Sequence, residues 1–289
     1  MYKPKQVQFK DDFSEHSNKT ISEIKYDGER NLLIIKNGDV IIQRHEGRIK
    51  SDNFPEIIDY VKQSGLIHKN VVLDGEICVL ESKIRSDFPS VQTRGTTDPV
   101  KVAKLRSIVP VTYVAFDIIE INGRNVSELT FKERRTHLES IGLTEIDNYK
   151  QNNVVIIKSG YEQITEQFIK SNDLEGIVMK NPNKPYDWIK IKNYDQEDFE
   201  VIGSELTDTG KKNGNTISAV HLKNTDGRFV GNCTFITDKP IESIVGRFMI
   251  VRYMKTDAYR NGEGKLRFPV FQKFVDEVAN SQAMISQFT

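Results

Sequence analysis

The sequence predicts an α+β chain, with antiparallel sheets and flanking helices over residues 1–193 followed by a small all-β domain over residues 194–289. Three observations predict it. A chain of 289 residues exceeds the usual single-domain size, which favours two domains that each bury a core of their own. As far as Asn193, Val/Ile-rich runs alternate with segments of helical periodicity. After the polar Tyr194-Asp195-Gln196-Glu197-Asp198, a stretch suited to a hinge, the texture changes to short strands broken by GKKNGN, NTDG and YRNGEGK turns.

The elements follow in order. ISEIKYDGERNLLIIKNGDVIIQR opens the informative part with two β-rich runs joined at Asn37-Gly38, a strong hairpin signal. Lys25 is read on a strand just before it, ending at Asp27-Gly28. Phe54, Ile57, Ile58 and Val61 recur at helical intervals, with Pro55 in a first turn and Gly65 as the stop. VVLDGEICVL (71–80) and VTYVAFDIIEI (111–121) are buried strands by content and length. Thr130 and Glu133 have capping-box spacing before a helix that stops at Gly142. A second helix is expected over Glu162–Lys170. In WIKIKN, Ile189 and Ile191 alternate with Trp188, Lys190 and Lys192, so both lysines share a strand face. The short strands of residues 194–289 suit a small barrel such as an OB-fold better than a sandwich.

Composition excludes more than it selects. Apolar residues at 37% and charged residues at 28% are ordinary for a globular protein, not a disordered one. No apolar stretch follows MYKPKQ, and no run approaches the ~20 apolar residues of a transmembrane helix. No membrane role and a cytoplasmic location are therefore expected. Cys78 and Cys233 lie far apart in strand-like contexts, so they build neither a disulfide framework nor a four-cysteine zinc site. Lys+Arg 41 against Asp+Glu 41 leaves no net charge, so a basic nucleic-acid surface, if present, is local.

Lys25 is followed by Asp27, Gly28, Glu29 and Arg30, and most such clusters are solvated turns. A functional lysine must supply a neutral amine, which nearby cations or partial burial favour. Arg30, Arg44, Lys190 and Lys192 are candidate cations that only a fold can bring together.

Lys25-Tyr26-Asp27-Gly28-Glu29-Arg30 resembles the KxDGxR signature of the covalent nucleotidyltransferases, the superfamily of DNA ligases, RNA ligases and mRNA capping enzymes. Further motifs of that superfamily are matched in order: Gln43-Arg44-His45-Glu46-Gly47, Leu73-Asp74-Gly75-Glu76, Val114-Ala115-Phe116-Asp117, Leu174-Glu175-Gly176-Ile177-Val178-Met179-Lys180 and Trp188-Ile189-Lys190-Ile191-Lys192. Within it, Ser86–Arg94 is similar to the DFxxLQxR element of DNA ligases, and Phe131-Lys132-Glu133-Arg134-Arg135 to their ERR helix start.

The resemblance implies an ATP-dependent DNA ligase of minimal two-domain type, with an adenylation domain over 1–193 and an OB-fold domain over 194–289. It implies that Lys25 becomes adenylated and that the AMP then passes to the 5′-phosphate of nicked duplex DNA. The implied cofactors are ATP and Mg²⁺, with Mn²⁺ as a substitute, and the implied settings are DNA repair, replication and recombination. A monomer is expected. Among the nucleotide-binding residues implied, Glu23 meets the base, Arg30 and Glu76 meet the ribose, and Phe116 stacks on adenine. Lys190 and Lys192 neutralise the α-phosphate, Arg44 meets the nick 5′-phosphate, and Glu175 holds the metal. Trp188 is left unassigned.

The pattern breaks near the end. Leu266–Phe271 looks like the RFPxF approach to the last motif, but Gln272-Lys273-Phe274-Val275-Asp276-Glu277 stands where RxDK is expected. That motif orients the pyrophosphate leaving group in the family. Lys211 and Lys212 of GKKNGN are candidate DNA contacts, although turn lysines are usually only solvated. The alternatives are an RNA ligase, a capping-type nucleotidyltransferase, or a non-catalytic nucleic-acid-binding relative.

Overall fold

The computed structural model describes residues 8–9, 21–160, 164–254 and 256–276, and the chain divides into two compact units, Met1–Asn193 and Tyr194–Thr289. In the first unit the strands are β1 (Gln8–Phe9), β2 (Ile21–Ile24), β3 (Glu29–Lys36), β4 (Asp39–Arg44), β5 (Val71–Cys78), β6 (Thr112–Ile121), β7 (Arg124–Asn125), β8 (Val154–Ile156), β9 (Gly176–Lys180) and β10 (Trp188–Lys192). The helices are α1 (Pro55–Gln63), α2 (Phe88–Thr93), α3 (Pro99–Ile108), α4 (Phe131–Ser140) and α5 (Glu166–Ser171).

Two sheets result. One runs β1-β10-β9-β2, the other β4-β3-β5-β6-β7 with β8 on β6. The β3–β4 hairpin turns on Asn37 and Gly38, with φ of 52° and 85°. Both central residues are left-handed, as the two-residue turn that matches strand twist requires. Side chains alternate across a strand, so Leu33 and Ile35 enter a core with α1 residues Ile57 and Val61, while Leu32 and Ile34 pack on the other face with Val72 and Ile119. Apolar demand on both faces is why β3 reads as a continuous run. The Thr130 capping box on α4 is complete, and Gly142 follows with φ +86°.

The second unit has strands β11 (Asp195–Glu205), β12 (Ile217–Lys223), β13 (Phe229–Thr237), β14 (Phe248–Met254) and β15 (Arg267–Phe274), with short helices α6 (Asp208–Lys212) and α7 (Asp257–Arg260). The strands close a five-membered barrel in the order β11-β12-β13-β15-β14 around Phe199, Val220, Leu222, Val251 and Tyr253. Closure removes free strand edges. The α+β class and the OB-like barrel are both as the sequence predicts.

Several details differ. Lys25 sits one residue past β2 instead of on it. The helix expected over 162–170 begins at Glu166, where Thr165 accepts from Phe168 N–H; residues 162–163 of that expectation lie outside the described residues. Lys211 and Lys212 belong to the helix α6, which Thr207 caps, and not to a turn. Helix α3 was not anticipated: Asp98 caps it and Pro99 starts it, but Val102 is its only buried residue, so no apolar stripe announces it. Cys78 and Cys233 are free and buried, as expected. Among the described residues, no helix is long and apolar enough to cross a membrane.

Candidate functional site

Strand parity builds the site. On β3, β5 and β6, residues Arg30, Glu76 and Phe116 line one pocket, and Glu23, Val178, Lys180, Trp188 and Lys190 line it from β2, β9 and β10. Register puts Glu23, Val178 and Lys190 in one row and Lys180 beside Trp188 in the next. Alternation along β10 sends Ile189 and Ile191 into the core, which leaves Trp188 and Lys190 for the pocket.

Lys25 stands at the lip. Its backbone N–H donates to Gly176 O at 3.0 Å, which ties the loop after β2 to the start of β9. Its Nζ is ion-paired with Glu175, whose other oxygen lies 3.6 Å from Lys192 Nζ. Burial works against a charged Lys25, but Glu175, Glu76 and Asp27 outweigh it and raise the amine's pKa. Where the sequence offers cations as neighbours that would favour a neutral amine, the structure sets carboxylates nearest Lys25. Lys190 is pushed down, by burial and then by Lys25 and Arg30.

Each remaining polar group is held in place. The Arg30 guanidinium donates to both oxygens of buried Asp74, at 3.0 and 2.6 Å, and lies 5.5 Å from the Phe116 ring centroid. A forked pair of this kind fixes the plane of the guanidinium. Burial lifts the Glu76 carboxyl to about 8, with Lys25 and Arg30 opposing the rise. Glu23 is 1% exposed; one oxygen meets Lys180 Nζ at 2.5 Å and the other accepts from Ser159 Oγ. Lys180 is buried as well, 4.0 Å from the Trp188 ring centroid and 4.4 Å from that of Phe131, and burial depresses its pKa against the pull of Glu23.

The structure therefore gathers Lys25, Glu23, Arg30, Glu76, Phe116 and Lys190 around one pocket, with Lys192 and Glu175 joined to Lys25 by ion pairs. Arg44 is not in the pocket lining; it ends β4, 3.2 Å from Glu46 and 3.9 Å from Glu29. Cations beside an apolar slot and an aromatic ring suit a nucleotide's phosphates and base.

A family model described as the ATP dependent DNA ligase domain matches residues 3–192. The chain belongs to the ATP-dependent DNA ligase domain family. Among curated relatives, the bifunctional non-homologous end joining protein LigD of Bacillus subtilis (strain 168) is 33% identical over 199 residues, covering 63% of this chain and 32% of LigD. The SPbeta prophage-derived DNA ligase-like protein LigB of the same organism is 26% identical over 276 residues, 88% of this chain and 92% of LigB. Among solved structures, a Lig E DNA ligase described as binding DNA with a minimal scaffold superposes with a TM-score of 0.65 at 13% identity, covering 94% of this chain and 99% of that one. Identity at that level speaks to the fold alone.

For this DNA ligase-family chain, sequence reasoning quoted Lys180 in a motif without giving it a role, and missed Ser159 and the pocket position of Trp188. For two of them a signal existed: Lys180 is two residues from Val178 on β9, and Trp188 two from Lys190 on β10, so period-2 alternation puts each on the pocket face. Ser159, on the segment after β8, had none. A divalent metal fits the ligase-family site in one specific sense. Among the described residues no three His, Cys, Asp or Glu side chains form a metal cluster, but Mg²⁺ is commonly held by one or two carboxylates, waters and substrate phosphates. Glu175, beside Lys25, would be such a carboxylate.

Proposed function

We propose that this chain is an ATP-dependent DNA ligase that seals 5′-phosphate/3′-hydroxyl nicks in duplex DNA through a lysyl-AMP intermediate. The observation that carries the reading is one pocket in which the Lys25 amine, a set of cations and a buried donor–acceptor pair converge. Glu23 offers an acceptor and Lys180 a donor side by side. Adenine presents the complementary 6-amino donor and N1 acceptor, and guanine reverses their order with O6 accepting and N1–H donating, so with the base held in one orientation the pair favours ATP over GTP. Phe116 is available to stack on the base, and Arg30 and Glu76 to bond the ribose hydroxyls.

In the first step the Lys25 amine, having lost its proton, attacks the α-phosphorus; the N–P bond forms as the α–β P–O bond breaks and pyrophosphate leaves. Lys190 and Lys192 act on the charge that gathers on the phosphate oxygens. Glu175 would help to hold Mg²⁺ or Mn²⁺, which would supply charge neutralisation when bound. The adenylyl group then passes to the DNA 5′-phosphate, and the 3′-hydroxyl displaces AMP. Arg44, outside the pocket, suits a forked contact with that 5′-phosphate. In this reading residues 1–193 are the adenylation domain and 194–289 an OB domain that holds DNA, in a monomeric, cytoplasmic enzyme.

The test is incubation with α-labelled ATP and Mg²⁺, then a denaturing gel, for wild type and Lys25→Ala. Label on the wild type alone, followed by its release on sealing of a nicked DNA duplex, is expected. Absence of any adduct on the wild type overturns the proposal, and transfer to RNA nicks in preference to DNA ones reassigns the acceptor.

A further inference from the structure

Glu23 has an unusual environment for a carboxylate. It is 1% exposed, and its two oxygens are held by different elements: Lys180 at the end of β9 on one, and the Ser159 hydroxyl on the other. Lys180 fixes charge; it cannot by itself fix rotation of the carboxylate about its terminal torsion, which is broad and soft. A second donor on the opposite oxygen removes that freedom. Ser159 follows Ile157, itself a pocket residue, on the segment after β8, and it is only half-buried.

We infer that Ser159 is a positioning residue for adenine selection: its hydroxyl holds the Glu23 carboxylate in the plane that accepts from the 6-amino group of the base. A carboxylate has roughly four lone-pair sites, so Glu23 keeps Ser159 and Lys180 while taking a third donor from the nucleotide. Loss of the hydroxyl leaves one oxygen of a buried carboxylate without its protein donor. The carboxylate then turns toward Lys180 alone, and the base meets an acceptor in the wrong direction. A hydrogen bond to a charged group of this kind corresponds to roughly a tenfold effect on binding. The inference rests on the proposed adenylation of Lys25 and adds a residue to it.

The experiment is single-turnover adenylation of the full chain by ATP and by purine riboside triphosphate, which lacks the 6-amino group, with wild type, Ser159→Ala and Ser159→Thr. Ser159→Ala is expected to raise the KM for ATP about tenfold with little change in the maximal rate. It should leave the KM for purine riboside triphosphate unchanged, and Ser159→Thr should restore ATP. Equal KM values for ATP in wild type and Ser159→Ala overturn the inference, as does an equal penalty with both nucleotides, which a merely structural role produces. A wild type that takes no label from ATP is a different result: it overturns the adenylation reading itself.

Discussion

Lys25 Nζ is ion-paired with Glu175 across 150 positions of sequence. The pair joins the loop after β2 to the residue before β9, and it keeps the amine protonated until something competes for Glu175. A raised amine pKa means that the neutral fraction at neutral pH is small and grows as pH rises. Enzyme adenylation is therefore expected to accelerate with pH. In Glu175→Gln the largest opposing charge is gone, so the titration of Lys25 should move to lower pH even though the maximal rate falls. Competitive acylation of Lys25 followed by mass spectrometry across a pH series reads this directly, and coincident titrations in the two proteins would refute it.

Glu76 gives a stability prediction of definite sign. Burial raises its pKa from 4.5 to about 8, so between those values the folded state binds more protons than the unfolded one. Stability from this group is complete below the unfolded pKa and is lost as pH rises toward about 8. Glu76→Gln removes the titration. Its melting temperature should fall less than that of wild type between about pH 5 and about pH 8. Differential scanning calorimetry decides it, and parallel curves count against the assignment.

Helix α2 ends at a residue whose work is mechanical. The Arg94 side chain is fully buried; it forks onto Glu56 of α1 at 2.6 and 3.0 Å and also donates to Asn53 O and Val109 O. Breaking a buried pair strands the partner charge, so Arg94→Ala should cost about 3–5 kcal/mol. Urea unfolding checks it, while the molecules that remain folded should still take up AMP at close to the wild-type rate. A loss below about 1 kcal/mol would show that the site relaxes around the missing charge.

These cases show what the sequence could and could not disclose. The hairpin at Asn37-Gly38, the capping box at Thr130 and the shared face of Trp188, Lys190 and Lys192 were legible because each rests on local geometry. The Glu23–Lys180–Ser159 cluster was not, because its members come from β2, β9 and the segment after β8 and meet only through sheet pairing. Lys25 was legible as a motif residue, but its raised pKa depends on Glu175, whose proximity is a tertiary fact. Arg94 belonged to a legible motif whose structural purpose appears only when Glu56 is found against it.

Trp188 is the only tryptophan of the chain and lines the pocket beside Lys180. Its emission should therefore change on addition of ATP, giving a titration independent of catalysis. Lys180→Met removes the donor of the base-reading pair and leaves Glu23 buried without its cation. Its ATP titration is expected to weaken by at least about tenfold, with discrimination against GTP reduced. An unaltered ATP affinity and an unaltered preference for ATP would remove Lys180 from the base-reading role.

Gly176 holds the two halves of the lysine site in register. Its φ is +152°, and a Cβ there would lie 2.0 Å from Ile191 O and 2.8 Å from Lys192 Cα. Both neighbours are backbone of β10, which cannot move aside without disturbing the Lys192↔Gly176 and Lys190↔Val178 pairings. The same residue accepts the Lys25 N–H at its carbonyl and follows Glu175 directly. Gly176→Ala must therefore push β10 away from β9 and shift Lys190 and Lys192 relative to Lys25. A displacement of about 1 Å at a reacting group can cost on the order of a hundredfold in rate, so adenylation should fall by about that factor. The barrel unit has its own core and offers an internal control. Hydrogen exchange should quicken in β9 and β10 while β12 and β13 keep their protection. Wild-type adenylation by Gly176→Ala would mean that β10 tolerates a methyl group the geometry excludes.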